Sequence, residues 1–170
     1  MKSTMYLALA AVALGLTGCS HSVPVQGAEG PESSMLHNEP KWAANIRTVP
    51  QTRFMALDTA RDISSSSVEW FQGERPGVSN INMSFTYAGT EHSLSWGILF
   101  GTCGSASMPL LPVSSFPELE VSVGGHIQLS TEISLDLPTS GNYHIDIYRD
   151  RRAGVEWLVG CGNLRYVGPS

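Results

Sequence analysis

The chain has 170 residues and a net charge of −5 at pH 7, from 10 Lys plus Arg against 15 Asp plus Glu. A mildly acidic chain, with pI near 5.4 and few basic residues, gives no electrostatic footprint for nucleic acid. Its one basic cluster, Arg149, Arg151 and Arg152, is broken by Asp150 and reads as the solvated end of a hairpin.

The first element is "MKSTMYLALAAVALGLTGCS". Lys2 supplies a positive start, and Met5 to Leu16 is an uncharged apolar run. That run is shorter than the roughly 20 residues a membrane-spanning helix needs, and it fits the apolar region of a secretory signal. It ends in Leu16-Thr17-Gly18-Cys19, which resembles the bacterial lipobox. The resemblance implies cleavage before Cys19, a diacylglycerol on its thiol, and a fatty acyl group such as palmitate on its amine. Ser20, which is not an aspartate, implies export to the outer membrane. Residues 1–18 are then a lipoprotein signal peptide, and 19–40 a lipidated cysteine with a flexible tether. Residues 41–170 are a single β-domain, and the membrane is a partner through the anchor. Of the three cysteines, Cys19 would be acylated, which leaves Cys103 and Cys161 free to pair in an oxidising compartment.

Residues 20–40 hold three prolines, two glycines and no apolar periodicity, as a tether does. Met35 and His37 form a Met-x-His pair that soft copper could use, although such a pair in a tail is ordinarily inert. From Lys41 onward the pattern is β. Thr52 to Leu57 and Ser66 to Phe71 read as edge strands. Ile81, Met83, Phe85 and Tyr87 alternate with polar residues. After a turn at Ala88 to Glu91, Leu94, Trp96, Ile98 and Phe100 do the same. This predicts a β-hairpin whose buried face carries those eight apolar residues, with Ser93, Ser95, Gly97 and Leu99 facing outward. Asn82-Met83-Ser84 is a glycosylation sequon placed in mid-strand, and it is discounted for that reason.

Residues 101–118, "GTCGSASMPLLPVSSFPE", form a proline-containing loop long enough to be functional or covalently pinned, with Cys103 at its start. Ile127, Leu129, Ile133, Leu135 and Leu137 keep period two. So do Tyr143, Ile145 and Ile147 against His144, Asp146 and Tyr148, and Val155, Trp157, Val159 and Cys161 give a last strand. About seven to nine short strands with no helical segment predict an all-β fold: an antiparallel, Greek-key-like sandwich or flattened barrel.

The order "WGILFGTC … SGNYHIDIY … GCGNL" resembles the copper/zinc superoxide dismutase-like sandwich, over roughly Ile81 to Tyr166. The resemblance implies that fold and a Cys103–Cys161 disulfide. It also implies copper ligands at Gly97, Leu99 and Tyr148, a bridging histidine in the long loop, and a guiding arginine at Leu158. None of these positions carries the required side chain, and no histidine lies between His92 and His126. Copper chemistry needs several converging imidazoles.

His92 and His126 sit at turns and read as solvated. His144 and Asp146 share one strand face; they read as a polar outer face, or as half of a metal site. No nucleophile elbow, zinc-protease helix, phosphate loop or Cys-x-x-Cys motif occurs. The expectation is therefore a lipid-anchored envelope module without catalysis or cofactor, which binds a small ligand or an envelope protein or acts structurally. The alternative is a metal or redox protein with a site rebuilt from His144, Asp146, His126 or the tail. A third reading makes it a subunit of an envelope complex that it contacts through exposed Leu99 and Phe71.

Overall fold

In a computed structural model the described residues are 39–50, 62–105 and 107–168. The lipobox, Met35, His37 and Thr52 to Leu57 fall outside them. The strands are β1 (Lys41–Ala44), β2 (Arg47–Thr48), β3 (Ile63–Gln72), β4 (Ser79–Tyr87), β5 (Ser93–Phe100), β6 (Leu119–Glu120), β7 (His126–Ile133), β8 (Tyr143–Tyr148) and β9 (Leu158–Val167). Every pairing is antiparallel, along the path β6-β5-β8-β9-β1-β3-β4-β7, with β2 added beside β9. The two ends of the path, β6 and β7, lie against each other, so the sheet is nearly closed and the predicted all-β class holds. No helix among the described residues is long and apolar enough to cross a membrane.

Period-two alternation builds the interior. On β4, Ile81, Met83, Phe85 and Tyr87 are buried, and Trp70 of β3 and Trp96 of β5 are fully enclosed. Burying each large apolar side chain contributes roughly 1.5–3 kcal/mol. Each buried indole also finds an acceptor, as a buried N–H must. Trp70 Nε1 donates to Ser79 Oγ at 2.6 Å, Trp96 Nε1 to the Pro117 carbonyl at 2.8 Å, and Trp42 Nε1 to the Pro138 carbonyl at 2.7 Å. The last two bonds fasten long loops onto the core.

Three strand expectations are corrected. β4 and β5 do not form a hairpin: β4 pairs with β3 and β7, whereas β5 pairs with β8 and β6. The turn after Tyr87 crosses the barrel, because its backbone bonds go elsewhere: Tyr87 N–H donates to the Gly125 carbonyl and Ala88 N–H to the Asp62 carbonyl. The Ser66 to Phe71 segment belongs to β3, which is interior to the sheet between β1 and β4, and not an edge. Val155 and Trp157 lie in the turn before β9; Arg149 and Arg152 stack on the Trp157 ring at 4.8 and 3.8 Å, and Val155 is exposed.

The register fixes two ends of the barrel. Lys41, where β1 begins, lies opposite both Val167 and Phe71, and Trp42 lies opposite Tyr166. Phe100 and Tyr143, paired with each other, belong to this entry end. Tyr87, Ser93, Tyr148 and Leu158 mark the far end.

Candidate functional site

The outward face of β5, β8 and β9 is where the resemblance implies a metal centre. On β8, His144 lies between Leu99 and Asn163, and Asp146 lies between Gly97 and Cys161. Tyr148 lies between Ser95 and Leu158. Outward-facing strand residues are ordinarily solvated, yet Ser95, Gly97, Leu99, His144, Asp146 and Tyr148 are all buried. The expectation of a polar outer face is therefore corrected, as is that of an exposed Leu99; Phe71 is half-buried. Phe100 departs in the other direction: it is exposed, because it ends β5 at the rim of the barrel.

The long loop produces this burial. Residues 101–118 fold back along β5: Phe100 N–H donates to the Met108 carbonyl and Leu110 N–H to the Ile98 carbonyl, at 3.1 and 2.8 Å. A short 3-10 turn, Val113–Ser115, then sets Val113 over Gly97, so that a β-carbon at Gly97 would touch Val113 at 3.4 Å. Phe116 stacks on Trp96 at 4.5 Å between ring centroids. The loop is fixed at its other side by the Cys103–Cys161 disulfide, whose Cα atoms are 5.9 Å apart. Cys103 N–H also donates to Asn163 Oδ1 at 2.8 Å. Gly101, which starts the loop, has φ +87°, where a side chain would be strained and would strike Ser105 Oγ.

Under this cover lies a polar cluster. Tyr148 Oη donates to Asp146 Oδ2 at 3.0 Å. His144 Nε2 stands 3.7 Å from Asp146 Oδ1, beyond hydrogen-bond length. His144 Nδ1 and Asp146 Oδ1 are buried without a hydrogen-bond partner. Burial raises the Asp146 carboxyl above its ordinary value, against the opposing pull of His144 and of the Tyr148 hydroxyl. Burial, then the Asp146 carboxylate, raises the Tyr148 phenol as well.

Candidate ligand atoms from His144, Asp146 and Cys161 lie within 4.8 Å of one another. The Cys161 sulfur is bonded to Cys103 and supplies no thiolate. One imidazole and one carboxylate remain, with Gly97, Leu99 and Tyr148 where the resemblance implies ligands. A copper–zinc pair does not fit these residues. His126 is exposed on β7 beside Thr86, and His92 is exposed after the β4–β5 turn, so neither joins the cluster.

Sequence reasoning passed over a second feature. A groove of about 650 Å³ runs beside the disulfide and is lined by Arg47, Glu69, Asn163 and Arg165, among others. Arg47 lies opposite Cys161, and Arg165 opposite Ala43. The groove lies where β1 gives way to β2 beside β9. Two arginines far apart in sequence leave no linear motif from which such a groove could be read. Comparison with protein-family models and with curated proteins finds no match for this chain.

Proposed function

We propose that the chain is a lipid-anchored β-barrel module of the bacterial cell envelope that binds or scaffolds rather than catalyses. One observation carries this reading: the face that would hold a redox centre is filled from above by Val113 and Phe116, and it offers glycine, leucine and tyrosine in place of imidazoles. The lipobox-like Leu16-Thr17-Gly18-Cys19 supports the anchor, and the groove beside Arg47 and Arg165 provides a recess for a small ligand or a partner's side chain.

A second reading, a single ion held by His144 and Asp146, is favoured by their orphaned buried Nδ1 and Oδ1 atoms. Metal analysis separates the two. Protein isolated from envelopes and exposed to copper and zinc is expected to retain no stoichiometric metal after desalting, and to show no superoxide dismutation above buffer. One-to-one metal retention lost in His144→Ala would replace the first reading with the second. Cys19→Ser is expected to abolish the acyl group and the normal membrane attachment through it; the variant still held on the membrane by a covalent acyl group would refute the anchor.

A further inference from the structure

We propose that the entry end of the barrel is a lipid-facing surface, seated on the bilayer to which the chain is anchored. The inference rests on the anchored reading given above and adds which face meets the membrane. Most exposed large apolar side chains of the described residues gather at this end: Phe100 is 51% exposed, Met108 73%, Tyr166 41% and Val167 45%.

A chain of ring contacts through the buried Tyr143 and Trp42 links them. Met108 is bonded through its backbone to Phe100. The Phe100 ring lies 5.5 Å from Tyr143, Tyr143 lies 5.2 Å from Trp42, and Trp42 lies 5.3 Å from Tyr166. Tyr166 adjoins Val167, which is paired with Lys41. The rings that line the barrel at this end thus continue outward into exposed ones. Tyr166 is an exposed ring with a polar edge, the kind that favours the membrane interface, and Phe100, Met108 and Val167 add apolar surface beside it.

The occupant follows from where the chain enters. The described chain begins at Glu39 and joins the barrel at Lys41, on this same rim. About twenty residues separate it from Cys19, a segment whose full extension is at most roughly 70 Å. A tether of that length, joined to the barrel at this rim, raises the local concentration of lipid around it above that of a free partner. Val123 and Val155, the remaining exposed large apolar residues, project from far-end loops and lie away from the chain's entry.

The test uses Met108, whose thioether oxidises in proportion to its exposure. Protein isolated with its acyl group is placed on vesicles of mixed phosphatidylethanolamine and phosphatidylglycerol and treated with peroxide. Full-length Cys19→Ser protein without vesicles is the reference. Met108 oxidation is expected to slow severalfold on the vesicles, while hydroxyl-radical labelling of Trp157 at the far end stays unchanged. Attached protein with Met108 oxidised at the reference rate would overturn the inference and leave the anchor standing. Protection of Met108 in the reference without lipid, growing with protein concentration, would also overturn it and assign the rim to contact between copies. If mass spectrometry finds no acyl group on Cys19, the anchored reading fails separately. The full-length chain is then coupled through Cys19, the thiol left outside the disulfide, to a maleimide lipid, and Met108 protection decides the face on its own.

Discussion

Asp146 is the residue at which this fold carries an unrelieved electrostatic cost. Its carboxylate is buried, and the groups facing it are His144 and Tyr148 on its own strand; Gly97 and the disulfide-bonded Cys161, across from it on β5 and β9, bring no charge. Tyr148 satisfies one oxygen and leaves Oδ1 orphaned. Because burial raises the folded-state pKa above the ordinary carboxyl value, the folded protein holds its proton to higher pH than the unfolded chain does. Stability from this group is therefore highest below the unfolded value and falls as pH rises through the window between the unfolded and folded values. Asp146→Asn keeps an acceptor for Tyr148 and removes the charge. It is expected to stabilise the protein at neutral pH by roughly 1–2 kcal/mol and to flatten the acid-side slope. Urea melts of both proteins across mildly acidic to neutral pH check this; a variant less stable at neutral pH would show that the carboxylate pairs usefully with His144.

The loop from Gly101 to Glu118 decides what the β5–β8–β9 face can do. It protects the exposed edge of β5 through Met108 and Leu110, much as an added strand would, and it buries outward residues that β-periodicity assigns to solvent. Among its described residues, regular structure is limited to the 3-10 turn and one isolated bridge between Leu99 and Pro109, so the covalent pin and the packing of Phe116 set its place. The bridge spans a sequence separation of 58, and loss of a native disulfide in a small secreted domain typically costs about 2–5 kcal/mol. Cys103→Ala is expected to lower the thermal midpoint accordingly. It should also speed hydrogen exchange at the Phe100 and Leu110 amides more than at β4, and mass-resolved exchange on the two proteins measures both effects. Equal exchange at the loop in the two proteins would mean that Phe116 and the backbone bonds hold it without the bridge.

At the scale of the molecule, a single core joins all sides of the barrel. Trp42, Trp70 and Trp96 sit on different strands and belong to one buried cluster with Ile81, Ile98, Ile145 and Ile147. No subset of strands keeps its interior when the others leave, because β4 and β5 follow each other in sequence yet lie in separate parts of the sheet path. With the disulfide intact, tryptophan fluorescence and far-ultraviolet circular dichroism should therefore report one coincident unfolding transition. A fluorescence change that precedes loss of strand signal would show that one wall of the barrel opens alone. Chain entry, the Phe100 and Tyr166 rings and Met108 also share one end of the barrel, because β1 begins there, β5 and β9 end there, and the loop starts there.

The strands themselves were legible because alternation is local: Ile81 to Tyr87, Leu94 to Ile98 and Tyr143 to Ile147 each carry their inward set in the residue order, and each is buried. The bond between Cys103 and Cys161 was legible from cysteine parity and from the resemblance, and the structure forms it. Partner choice was not legible. A two-period strand fits any neighbour with a matching face, so β4 and β5 looked like a hairpin until the backbone bonds of Tyr87 and Ala88 directed them apart. Nor could periodicity show that Leu99, His144 and Asp146 are enclosed: it separates two faces of a strand and says nothing about a loop that returns across one of them. The residues alone determined an all-β chain. Only the tertiary structure decided that the outward face of β5, β8 and β9 is closed, that a carboxylate is trapped beneath it, and that the exposed rings collect where the chain enters, since each depends on contacts between residues far apart in sequence.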